Sequence, residues 1–123
     1  NDFDVNRISY VHMNDYKFSS IDRQFLLTIN LQCCVAVYLY GNGFGFLAHI
    51  NTTKGNLSSL FFDIQNNEFL LSDLVLEELR SYCEYSGKNS DFYIGIVLGS
   101  RPYPDDYYVM DSINKGINNL IKN

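Results

Sequence analysis

Apolar positions along the chain fall into short blocks, with no single period running throughout. A β-prone stretch from Phe25 to Leu31 comes first, followed by Cys33-Cys34-Val-Ala-Val-Tyr-Leu-Tyr40. After Gly41-Asn42-Gly43 a second apolar run extends from Phe44 to Ile50. An Asn-Gly pair between two such runs is a strong hairpin signal, because both central positions of a type I′ turn need a positive φ. The pattern predicts a hairpin of strands 33–40 and 44–51. Further on, Leu71, Leu74, Val75, Leu79, Tyr82 and Cys83 recur at helical spacing, with Ser72 placed to cap the helix and Gly87 to end it. Phe92 to Leu98 reads as a strand stopped at Gly99, and Tyr107 to Met110 as a short one. Asp111 then precedes a last helical stripe of Ile113, Ile117, Leu120 and Ile121.

The remaining segments are less patterned. Residues 1–20 are polar, and Ile8, Tyr10, Val11 and Met13 offer one short edge strand. Thr52 to Asn56 reads as a loop, Leu57 to Ile64 fits strand or helix, and Gln65-Asn66-Asn67 is a break. Pro102 and Pro104 forbid regular structure around them. The expected fold class is α+β: a mostly antiparallel sheet or sandwich built around the central hairpin, with two helices at 71–86 and 112–122 packed against it. The 123 residues fit a single domain, with its core at about 25–122 and neither linker nor internal repeat.

Charge narrows the partners. A net charge of −5 argues against a nucleic-acid binder, which needs surplus Lys and Arg to neutralise phosphates. It argues equally against docking on an anionic membrane, and no run approaches the ~18 apolar residues of a membrane span. The cysteines are Cys33, Cys34 and Cys83, an odd number with two adjacent, so no disulfide framework is apparent. Without a Cys-x-x-Cys pair, and with only His12 and His49 as imidazoles, a structural zinc site is not expected. Thiols of this kind fit a reducing compartment, or a secreted domain that works after entering one. The chain begins at Asn1, as a fragment, processed product or excised domain would.

Several familiar motifs are absent or misplaced. There is no Gly-x-Ser-x-Gly elbow and no Gly-Lys-Ser/Thr phosphate loop. The glycines at 41, 43 and 45 read as a turn, because a strand follows them where a phosphate cradle needs a helix. Asp105-Asp106 reads as solvated surface, and Tyr103, Tyr107 and Tyr108 as a cluster that could touch a protein substrate. Cys34 and His49 remain, near the outer ends of the hairpin. With the turn centred near residue 42, position 34 falls opposite roughly 50, so thiol and imidazole can be cross-strand neighbours. An imidazole that holds a thiolate makes a nucleophile; a buried thiol beside a packed imidazole is the structural alternative. Cys33 is the rival thiol, since adjacent strand residues point to opposite faces and only one can meet His49. Cys83 reads as core.

The run Leu27-Thr28-Ile29-Asn30-Leu31-Gln32-Cys33-Cys34-Val35-Ala36-Val37 resembles the Thr-x-x-Leu-Gly-Ser-Cys-Val-Ala-Val pattern of the CheD-type chemoreceptor glutamine deamidases. Phe46-Leu47-Ala48-His49 resembles the Gly-Met-Ala-His that follows it there, and Met110-Asp111-Ser112-Ile113-Asn114 is more distantly similar to a later segment. The same cysteine–histidine core is shared by the cytotoxic necrotizing factor toxins. This resemblance implies Cys34 as nucleophile, His49 as its base and Thr28 as the group that orients the histidine. It implies a protein Gln or Asn deamidase that needs no metal or organic cofactor and acts in the cytoplasm, in a branch closer to toxins or effectors. Gln32 stands where the family has glycine and Cys33 where it has serine, and the Leu-Pro expected after the histidine is missing. Gln32 favours a rival reading, an inactive protein-binding module of the same fold. A cysteine protease is a third reading, and an amine in place of water would give transglutamination.

Overall fold

The structure is a computed structural model that describes residues 7–20, 25–41, 44–53, 55–66, 68–86, 93–100, 111–116 and 118. Its elements in chain order are β1 (Ile8–Tyr10), β2 (Asp15–Ser20), β3 (Phe25–Leu27), β4 (Cys34–Gly41), β5 (Phe44–Asn51), β6 (Phe62–Asp63), β7 (Glu68–Phe69), α1 (Asp73–Ser86), β8 (Tyr93–Leu98) and α2 (111–116). The expected α+β class holds. A four-stranded antiparallel sheet runs β2-β5-β4-β8, a small antiparallel pair is formed by β6 and β7, and β1 pairs with β3 in parallel. No helix among the described residues is long and apolar enough to cross a membrane.

The central hairpin sets the geometry of everything else. Its last pair is Gly41 opposite Phe44, so two residues connect the strands and the register runs unbroken from there to Cys34 opposite Asn51. One face of β4 and β5 presents Val35, Val37, Leu39, Phe44, Phe46, Ala48 and Ile50 to the core. Ile94 and Ile96 of β8 and Tyr16 and Phe18 of β2 extend this apolar layer from either side. Val75 and Leu79 of α1, Ile113 of α2, and Phe61, Phe62 and Phe69 cover it. The opposite face carries Cys34, Ala36, Tyr38 and Tyr40 on β4, with Leu47, His49 and Asn51 on β5.

Both helices start within two residues of where the sequence places them. The amides of Val75 and Leu76 donate to the Oγ and the carbonyl of Ser72, so Ser72 caps α1 as expected. The apolar stripe of α1 is narrower than its spacing suggests. Val75 and Leu79 are buried in the core cluster but Leu74 is exposed. α2 begins at residue 111, one turn tied by a Lys115–Asp111 ion pair of 3.0 Å. Its Ser112 hydroxyl accepts the Phe69 amide at 2.7 Å and so anchors α2 to β7.

The N-terminal reading needs correction. Residues 8–20 hold two strands in place of one short edge strand. β1 is the parallel partner of β3, and β2 is an edge of the main sheet, Asp15 opposite His49 through Ser20 opposite Phe44. The signal for β2 is the alternation Asp15-Tyr16-Lys17-Phe18-Ser19, in which the two aromatic rings face the core. The region 57–64 is neither a full strand nor a helix but a turn leading into β6. The expected strand at 107–110, the stop at Gly87, the Pro102–Tyr108 loop and the end of the last helix lie outside the described residues, as does the Cys83 side chain.

Candidate active site

Three segments converge on the sheet face opposite the core. β4 begins at Cys34, which is buried at its first position. β5 carries His49, 4 % exposed, two residues before its end. β3 lies beside β2 and β5, and the chain leaving it places Thr28 against the histidine ring.

The register differs by one residue from the expected one, and that residue decides the site. Cys34 is opposite Asn51 and His49 is opposite Ala36. Had residue 34 paired with 50, the two-residue side-chain period would have put Cys34 and His49 on opposite faces. The observed register puts them on one face as diagonal neighbours, a relation that places Cβ atoms about 7–8 Å apart, within reach of long side chains. Cys33, half-buried, precedes the first residue of β4 and takes no part in the ladder.

Thr28 fixes the histidine's proton. Its hydroxyl lies 2.8 Å from the Val11 carbonyl oxygen, which can only accept, so the single hydroxyl proton is donated there. The same oxygen is 2.7 Å from His49 Nδ1, and it must therefore accept the Nδ1 proton. Nε2 is left with its lone pair. That atom is buried and has no hydrogen-bond partner among the described residues. An unsatisfied buried acceptor costs on the order of 1–3 kcal/mol and calls for a reason.

Burial also lowers the His49 pKa below its usual value, because the charged ring loses hydration. The imidazole is thereby held neutral at physiological pH, the form that can take a proton. Linkage gives the sign of the effect on stability. Between the depressed folded pKa and the ordinary value of about 6.5, the unfolded chain binds the proton and the folded one does not. Stability is therefore complete above that ordinary value and is lost as pH falls below it. The urea midpoint is expected to drop from pH 7.5 to 5.5, and to drop less in His49→Gln. An equal drop in both proteins would show that other groups carry the dependence.

The loop entering β4 is held by backbone and hydroxyl contacts. Asn30 occupies the left-handed region at φ 61°, which asparagine tolerates, and its carbonyl accepts the Gln32 amide. Gln32 is not among the described residues with positive φ, so it sits in this loop without left-handed strain. The buried Thr52 hydroxyl donates to the Cys33 carbonyl at 3.2 Å, directly before the thiol residue. Val11, Asn30 and Thr52 build the site without having been singled out in the sequence.

The described residues contain no group of three or more His, Cys, Asp or Glu side chains arranged to hold a metal ion. Comparisons with protein-family models, curated proteins and solved structures give no match.

Proposed function

We propose that this chain is a cysteine-dependent protein deamidase, related to the CheD-type and cytotoxic-necrotizing-factor enzymes, that hydrolyses a Gln or Asn side-chain carboxamide. The observation that carries this reading is the Val11–Thr28–His49 relay. It orients a buried imidazole and leaves Nε2 unprotonated on the face that also bears Cys34.

In the proposed reaction, Nε2 takes the Cys34 thiol proton and the thiolate attacks the carboxamide carbon. The carbonyl electron pair moves onto oxygen. Nε2–H then protonates the amide nitrogen, the carbon–nitrogen bond breaks and ammonia leaves a Cys34 thioester. Water next gives a proton to Nε2 and its oxygen to the acyl carbon, releasing the side-chain carboxylate and the thiol. Each proton passes through one nitrogen, and no cofactor enters the balance. The partner is a protein bearing the target Gln or Asn, with neither nucleic acid nor membrane. The thiol chemistry suits the cytoplasm, of the cell that makes the chain or of one into which it is delivered.

The test is incubation of the purified protein with a cytosolic lysate, followed by peptide mass spectrometry for Glu or Asp at encoded Gln or Asn. A set of sites that rises with wild-type protein and not with Cys34→Ser is expected. Cleaved peptide bonds in place of converted side chains would replace the deamidase with a protease. A lysate with neither converted side chains nor cleaved bonds would sink the reading.

A further inference from the structure

Asn51 is the residue directly opposite Cys34, on the same sheet face. Directly opposed residues have Cβ atoms about 4.5–5.5 Å apart, closer than the diagonal pair that Cys34 makes with His49. The Asn51 carboxamide is oriented. The Thr53 amide donates at 2.9 Å to one of its terminal atoms, which must therefore be Oδ1. The terminal NH₂ points away from that bond, and its one protein partner among the described residues is the Met13 thioether sulfur, at 3.5 Å. A thioether is a weak acceptor, and Met13 is itself exposed. Two N–H donors thus sit across from the nucleophile with no strong acceptor among the described residues.

The strand that presents them is well anchored. The Asn51 amide donates to Asn14 Oδ1 at 3.0 Å, and the Asn14 amide donates to the His49 carbonyl at 2.7 Å. Asn14 holds φ at 58°, a turn conformation that lets its side chain and backbone grip β5 together. The same clamp fixes the base and the carboxamide two residues apart.

We propose that Asn51 Nδ2–H is an oxyanion donor of this site, a catalytic residue that stabilises the negative oxygen formed when the Cys34 thiolate adds to an acyl carbon. The inference rests on the nucleophile assignment above. As the carbon–sulfur bond forms, the carbonyl π pair moves onto oxygen and an Nδ2 hydrogen is donated to it. When the carbonyl reforms and the leaving group departs, that hydrogen bond is released. A carboxamide in this role is rigid and neutral, and it costs no proton.

Two probes separate this role from support of the thiolate or of the fold. Acylation by p-nitrophenyl acetate passes through an oxyanion. Alkylation by iodoacetamide displaces iodide and forms none. Asn51→Asp keeps an acceptor for the Thr53 amide while removing both donors, and Asn51→Ala removes the whole group without adding charge. Cys34-dependent acylation is expected to fall about 10²–10³-fold in both variants, the loss typical of one oxyanion donor. Cys34 alkylation in Asn51→Ala is expected to stay at the wild-type rate. Acylation and alkylation falling in parallel in Asn51→Ala would overturn the oxyanion role and leave Asn51 a positioning residue. Undiminished acylation would remove it from the chemistry, with Cys34 still the nucleophile. Wild-type protein that shows neither Cys34 acylation nor preferential Cys34 alkylation would overturn the nucleophile and this inference with it.

Discussion

Cys34→Ser is expected to abolish deamidation while leaving the protein folded. The change is nearly isosteric at a buried position, so packing at the start of β4 is retained. The hydroxyl is a far weaker acid than the thiol, so no preformed anion is held beside the imidazole and the nucleophile is much poorer. His49→Ala is expected to cost about as much, roughly 10⁴–10⁶-fold in turnover, because a nucleophile and its base act as one unit and their effects do not add. Thr28→Val removes the hydroxyl at nearly constant volume. The ring then loses the contact that holds the Nδ1 proton, and a smaller loss is expected. Ammonia release or side-chain conversion on a confirmed target measures all three, with circular dichroism as the folding control. Full activity in a folded Cys34→Ser protein would exclude a thioester. Loss in Cys34→Ser without loss in His49→Ala would leave a nucleophile whose base lies elsewhere.

The residues of the relay differ in how legible they are from sequence alone. The hairpin is legible because Asn42-Gly43 punctuates two apolar runs. The face on which His49 falls is not, because a one-residue error in the turn centre reverses it. Only the pairing of Gly41 with Phe44 settles that parity. Thr28 is legible solely through resemblance, since its partner Val11 comes seventeen positions earlier, on the far side of β2, and nothing local couples the two. Gln32 looks like an obstacle in the sequence, yet the left-handed backbone of this loop sits at Asn30. β2 is hard to recognise because its aromatic residues are only two, Tyr16 and Phe18, spaced among polar ones. Its outward face stays polar at the sheet edge, so the segment as a whole looks like a polar stretch and not a strand. Asn51 reads as the last residue of the second hairpin strand in sequence, and the register adds that it is the counterpart of Cys34.

Gly99→Ala is expected to damage the site from outside it. Gly99 ends β8 where the loop entering β4 crosses, and the Ser100 amide donates to the Leu31 carbonyl at 2.8 Å. A Cβ at residue 99 would collide with the Gln32 carbonyl oxygen and stand 2.6 Å from that of Cys34. Both are backbone atoms, so no side chain can swing aside. Either β8 or the segment carrying the nucleophile has to move. Overpacking of this kind costs about 1–3 kcal/mol. The displaced segment is the one whose Cys33 carbonyl is held by Thr52, so the thiol shifts relative to His49 as well. Gly55→Ala supplies the contrast. Gly55 sits at φ 91° with nothing within 4 Å of an added Cβ, so alanine there strains the backbone without crowding the segment that carries Cys34. Both variants are expected to lower the urea midpoint, and only Gly99→Ala to slow Cys34 alkylation under conditions where each protein is folded. A Gly99→Ala protein whose thiol reacts at the wild-type rate would show that β8 yields instead, and that the entry to β4 is stiffer than its neighbour.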